Sequence, residues 1–354
     1  MRRRVFIKKI FISAPKYLIS RQMTKLAKIF FILCLALLPF GVAGQSPRYT
    51  ISPINAESVL KTENIRSDVE YLCAESLGGR ACGSEGSWKA AVWISGQFSS
   101  MGMKMINGAW AHGFRASGGD FCRNVIGLIP GSSTDPRYVI VMAHFDNLGI
   151  LNGSFYPGAD SNASGVAALV EVARMFSHMK NIRRNYGAGL LVVALDGKEK
   201  DLAGARELWN QLEAGKLVDP VTGSAILPSA ISLVVNLDQV GSTLSPITKG
   251  NPNYLIMLGE DGTSRRGVLE SVNRTQHLGM ELGFDYYGSK DFTKLFYRSI
   301  SDQKVFIEHG VPSVMFTSGI TFQNNKVTDT TETLDYDIMR KRIQLVFYYL
   351  DKIL

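Results

Sequence analysis

Three runs dominated by apolar residues, at 138–143, 189–195 and 231–237, constrain this chain more than any other feature. A strand with one wet face alternates polar and apolar side chains, whereas runs such as Tyr138-Val139-Ile140-Val141-Met142-Ala143 fit strands covered on both faces. Residues 163–179 and 202–213, between them, carry apolar side chains at helical spacing. Strands alternating with helices predict a mostly parallel sheet with helices on both faces, a single-domain three-layer α/β sandwich. Further helices are expected at 56–76, 85–101 and 334–354, and further strands at 124–129, 254–258 and 313–316. Gly78-Gly79-Arg80 and Gly83 break the chain between the first two helices.

The net charge of +8 suggests a basic protein, but the excess is local. Residues 1–44 hold nine Lys/Arg and no Asp/Glu, which leaves 30 Lys/Arg against 31 Asp/Glu beyond them. The body therefore has no electrostatic case for nucleic acid. The first 44 residues read as a leader: Lys25 and Lys28 precede an apolar run from Ile29 to Leu38, and Val42-Ala43-Gly44 offers a cleavage site before Gln45. Met23 is an alternative start. The run is shorter than the ~20 residues of a membrane span, so an exported chain, periplasmic or extracellular, is expected with no span after cleavage. Residues 45–354 then form one domain. Cys73, Cys82 and Cys122 remain beyond the leader, and their spacing leaves a disulfide and buried free thiols equally open.

In an α/β sheet, ligands gather at the carboxyl ends of the strands. His144 ends one apolar run, Glu199 follows another, and Asp238 ends the third. His144-Phe145-Asp146 and Gly158-Ala159-Asp160-Ser161-Asn162-Ala163-Ser164-Gly165 add two more carboxylates beside a glycine-flanked turn. Singly, Asp160 or Asp196 could serve as a helix N-cap. Together, one imidazole and three acids at successive strand ends call for a compensating cation.

These motifs resemble the co-catalytic zinc exopeptidases, which include bacterial leucyl aminopeptidase, glutamate carboxypeptidase and the transferrin receptor ectodomain. The resemblance runs from about residue 69 to the C-terminus and includes Gly78-Gly79-Arg80-Ala81-Cys82-Gly83-Ser84-Glu85-Gly86, Asn124-Val125-Ile126-Gly127 and Pro130-Gly131. It implies two zinc ions about 3.5 Å apart clamping a scissile carbonyl and a bridging water. On this reading His144 and Asp238 hold one zinc, Glu199 and a C-terminal histidine the other. Asp160 bridges both, and Asp146 orients the His144 ring. A glutamate before Glu199 would be the general base.

The chain departs from that pattern at the chemistry. Lys198 stands at the base position, and an ammonium cannot accept a proton from water unless its pKa falls to near neutrality. Asn325 stands at the lost histidine position, and its amide is a poor zinc ligand. Ser161 replaces the second Asp of its motif, while Asn147 and Gln303 replace further histidines. Counting charges with Lys198 as a cation leaves room for one zinc rather than two, at His144, Asp160 and Asp238. The resemblance implies an ancestral aminopeptidase acting on peptides, and the substitutions imply reduced or lost activity. Two alternatives are a non-catalytic protein that binds a ligand or partner through the old cleft, and a one-zinc enzyme like the glutaminyl cyclases.

Overall fold

A computed structural model describes residues 56–354 except residue 135 and residues 260–262. The leader expected at 1–44, with its alternative start, lies outside the described residues. The strands are β1 Lys104–Met105, β2 Ala111–Arg115, β3 Phe121–Ile129, β4 Tyr138–His144, β5 Gly149–Leu151, β6 Ser154–Tyr156, β7 Gly189–Leu195, β8 Ile231–Leu237, β9 Tyr254–Gly259, β10 Glu281–Gly283 and β11 Ser313–Thr317. The α-helices are α1 Thr62–Leu72, α2 Glu85–Ser100, α3 Gly165–Asn181, α4 Ala203–Glu213, α5 Thr263–Thr275, α6 Lys290–Ser299, α7 Gln303–Glu308 and α8 Tyr336–Ile353.

Among the described residues, nine strands form one sheet in the order β1-β3-β7-β4-β8-β11-β9-β10, with β2 also on β3. The expected parallel centre is present, since β7, β4, β8 and β11 are mutually parallel neighbours. The flanks are antiparallel: β3 against β7 and β9 against β11. Every residue of β4 and β7 is buried, as continuous apolar runs require when both faces are covered. On one face Ile140, Met142, Leu191, Val193 and Val234 pack with Leu208, Trp209 and Leu212 of α4 and Phe306 of α7. On the other face lies α3, against which α8 packs.

Three expected helices start later than the periodicity suggested. The segment expected at 56–76 becomes α1 only from Thr62, because Lys61 before it is extended. The segment expected from 163 begins as a distorted turn over Ala159–Ser164 and is α-helical from Gly165. The closing helix starts at Tyr336, where Asp335 caps it by accepting from the Ile338 N–H at 3.0 Å.

Candidate metal centre

The parallel register sets His144 and Asp238 at the carboxyl ends of neighbouring strands, β4 and β8. His144 Nε2 lies 3.6 Å from Asp238 Oδ1, and both atoms are buried without a hydrogen-bond partner. The other ring nitrogen, Nδ1, is 3.0 Å from the Asp146 carbonyl oxygen and 3.6 Å from Asp146 Oδ1. The Asp146 carboxylate reaches across the β4–β7 seam and accepts the N–H groups of Lys198 at 3.0 Å and Glu199 at 3.1 Å. Asp146 thus ties the His144 loop to the loop after β7.

Lys198 and Glu199 pair with each other, Nζ to Oε1 at 3.4 Å. Asn325, with φ of 58°, joins Lys198, Glu199, Asp238 and Asn324 around a cleft of about 220 Å³, closed on one side by Phe296, Ile300 and Ile320. The structure therefore gathers His144, Asp146, Lys198, Glu199, Asp238 and Asn325 at one place.

Asp160 lies in the turn before α3, and its Oδ2 is buried without a hydrogen-bond partner. Its Oδ1 accepts from the N–H groups of Gly241 at 2.9 Å and Ser242 at 3.2 Å and from Ser164 Oγ at 3.1 Å. The leading neighbouring charges that act on it belong to Asp329 and Arg342. Asp329 in turn accepts from the Asp160 and Ser161 N–H groups at 2.8 and 3.0 Å, so the turn is held from behind. Among the described residues, one set of three His, Cys, Asp or Glu ligand atoms falls within 4.8 Å: Cys82, Cys122 and Asp196. The expected trio of His144, Asp160 and Asp238 does not converge to that distance.

The proton affinities follow from these neighbours. Burial lowers that of Lys198, but Asp238, Glu199, Asp302 and Asp146 outweigh it, so the ammonium is held above its ordinary pKa. Burial and the Lys198 charge lower His144, yet its contacts with Asp146 and Asp238 raise it further, to about 9. Burial would raise Asp238, but Lys198, His144 and Ser301 hold it well below the usual carboxylate range. Burial lifts Asp160 to about 7, with the Asp329 charge adding to the effect. The cleft thus pairs an ammonium and an imidazolium with ionised acids.

Asp302 is a site residue that the motifs did not single out. It is fully buried, neither carboxylate oxygen has a hydrogen-bond partner, and burial lifts it to about 7. Its position between Ser301 and Gln303 was the available signal. Ser301 Oγ donates to Asp238 Oδ2 at 2.6 Å, and the Asn236 amide donates to Ser301 Oγ at 2.9 Å and Gln303 Oε1 at 2.7 Å. Gln303 therefore serves as a link in a buried amide chain. Asn147 likewise donates to the Tyr156 carbonyl at 3.4 Å. Asp196 does not cap a helix; it accepts from Ser87 Oγ at 2.9 Å and the Arg123 N–H at 3.0 Å.

The open cysteine question resolves as a Cys82–Cys122 disulfide, with Cys73 buried and free. The bridge packs behind Gly197: a Cβ there would lie 3.5 and 3.6 Å from the two sulfurs. It therefore supports the loop that carries Lys198 and Glu199.

The fold is shared with proteins of known structure. The Legionella pneumophila LapA aminopeptidase superposes with a TM-score of 0.65 at 14% identity, over 85% of this chain and 74% of that one. BSAP, a zinc aminopeptidase from Bacillus subtilis, superposes with a TM-score of 0.64 at 12% identity, over 83% and 95%. At these identities the likeness establishes the fold. In sequence, the chain is 25% identical over 229 residues to the BOS complex subunit ncln of Danio rerio, covering 62% of this chain. It spans 38% of that relative's length. The model of peptidase family M28 matches residues 124–350, which include every strand-end residue of the cleft, and the chain belongs to that family.

Proposed function

We propose that this chain is an exported M28 protein that has lost peptide hydrolysis and keeps its cleft to bind a peptide or another ligand. One observation carries the reading: Lys198, at the position of the base, pairs with Glu199, Nζ to Oε1 at 3.4 Å. A catalytic zinc takes three protein ligands and an open position. His144 Nε2 and Asp238 Oδ1 face each other unpartnered at 3.6 Å, and Asp160 Oδ2 is also buried without a partner. Glu199 is occupied by an ammonium, and Asn325 offers a weak ligand. Among the described residues the donors of the one-zinc site expected at His144, Asp160 and Asp238 do not all lie within 4.8 Å of one another, and Lys198 and Asn325 leave a two-zinc site short of a base and a ligand.

The base is missing as well. Lys198 is held in its charged form by the acids around it, so it has no lone pair with which to take a proton from water. Loss of a positioned base alone costs about 10²–10⁴ in rate. A binding role fits the small cleft with its polar floor and apolar wall. The likeness to a subunit of a BOS complex supports a binding or assembly role. The leader residues and the disulfide support an oxidising, non-cytoplasmic location. Among the described residues no helix is long and apolar enough to cross a membrane.

The test is hydrolysis of aminoacyl-4-nitroanilides and short peptides by the chain starting at Gln45, with and without added zinc. Background rates are expected in both conditions. Turnover abolished both by a chelator and by Asp238→Ala would refute the proposal.

A further inference from the structure

Four carboxylates act on one side-chain cation in this cleft. Lys198 Nζ lies 3.4 Å from Glu199 Oε1, and the charges of Asp238, Asp302 and Asp146 reach it too. Asp146 and Asp302 are fully buried and Asp238 is 1% exposed. Asp302 has no hydrogen-bond partner on either oxygen, and Asp238 has none on Oδ1. Buried carboxylates grouped in one place repel one another unless a positive charge compensates them. His144, between Asp146 and Asp238, faces two of the four. Lys198 pairs with Glu199, lines the cleft with Asp238, and has its N–H held by Asp146.

A lysine ammonium is a compact point charge with three donors on a flexible four-carbon stem. Here the stem starts from a well-anchored place. The Lys198 N–H is held by Asp146, and the preceding Gly197 is backed by the Cys82–Cys122 bridge. The side chain is 15% exposed, so its charge is delivered into the cluster rather than into solvent.

We propose that Lys198 is a tethered cation that does the charge-balancing work of a metal ion, so that this M28 fold is complete without one. The inference rests on the non-catalytic reading of the cleft and goes beyond it. An inactive protein could still need zinc to fold, and this one does not. It also predicts what removing the lysine does: the acids keep His144 alone as a side-chain cation, and a metal becomes the means of restoring balance. Without Lys198, Glu199 Oε1 is released from its ion pair.

The experiment compares the wild-type chain from Gln45 with Lys198→Met and Lys198→Arg. Each is stripped with chelator and then melted with and without zinc, and zinc retained after desalting is measured by elemental analysis. Wild type is expected to retain under ~0.1 zinc per chain and to melt within about 1 °C in chelator and in zinc, since a ligand bound only by the folded state would raise the melting point. Lys198→Met is expected to melt roughly 5–15 °C lower in chelator, as a buried charge cluster that loses its counter-charge should. It should recover part of that loss in zinc and retain close to ~1 zinc per chain. Lys198→Arg keeps the charge and should melt within a few degrees of wild type without zinc. Stoichiometric zinc on the stripped and reloaded wild type would overturn the inference. So would a Lys198→Met chain with unchanged melting and no response to zinc. If Lys198→Met does not fold, wild-type zinc content and the Lys198→Arg melting point decide alone. A zinc-free wild type that cleaved nitroanilides would refute the loss of catalysis and leave the tethered cation standing; an inactive wild type with bound zinc would do the reverse.

Discussion

Arg80 is the residue whose removal the structure predicts most sharply. It is fully buried, and its guanidinium donates to four backbone carbonyls: Phe145 O at 2.7 Å, Pro157 O at 2.9 Å, Gly158 O at 3.0 Å, and Leu72 O. Phe145 separates His144 from Asp146, and Gly158 opens the turn that carries Asp160. Arg80 therefore clamps the two loops that shape the cleft to the end of α1. In Arg80→Met the side chain keeps a similar length and the backbone keeps its φ of 57°, a region unfavourable to any residue with a Cβ, so that strain cancels in the comparison. Four buried acceptors lose this donor. An unsatisfied buried group costs about 1–3 kcal/mol. Carbonyls have a second lone pair, and Gly158 O also accepts from the Ala163 N–H, so the low end applies. Relief from burying a guanidinium offsets part of the cost. The net expectation is a loss of about 3–4 kcal/mol, read as a lower urea midpoint at unchanged m-value. Hydrogen exchange should quicken in the segments around Phe145 and Gly158 more than in α4. A loss below about 1 kcal/mol, or faster exchange spread evenly over the chain, would show that Arg80 is not the clamp described.

Two further predictions concern residues around the cleft. Asp160→Asn should gain on wild type as pH rises. Burial, with Asp329, lifts Asp160 to about 7 in the folded chain against about 3.9 unfolded, so its stabilising contribution is present below about pH 4 and lost as pH rises through 7. Asparagine keeps an acceptor for Gly241, Ser242 and Ser164 without that loss; urea unfolding at pH 5 and pH 8.5 should show a difference growing by a few kcal/mol, and a flat difference would count against the assignment. Cys122→Ala opens a bridge that spans 40 residues and should cost about 3–4 kcal/mol by loop entropy, measured against wild type under non-reducing conditions. Equal stability of the two would mean that the bridge does not form in solution.

The legible parts of the fold were those written as long periodic segments. The runs at 189–195 and 231–237 became β7 and β8 with unchanged ends, because strands covered on both faces stop where a polar residue must meet solvent or a ligand. Short elements were missed. The β5–β6 hairpin turns on Asn152 and Gly153, with φ of 50° and 77°, and Asn-Gly is a readable hairpin signal that was passed over. α6 and α7 gave no periodic run long enough to stand out, and with them went Asp302.

The sequence by itself determined the parallel layered fold, the family, and the placement of His144, Glu199 and Asp238 at strand ends. Each of these follows from local pattern, since the end of a buried strand is also the place where a polar side chain can be used. Only the tertiary structure decided which way the side chains face. Asp160 sits in the matching motif, and its Oδ1 is held by the Gly241 and Ser242 N–H groups, contributed by residues far along the chain, while its Oδ2 is left without a partner. Lys198 reads in sequence as a missing base, and in three dimensions it is the cation among four acids. Charge balance is a property of what surrounds a buried group, and the surroundings are assembled by the fold.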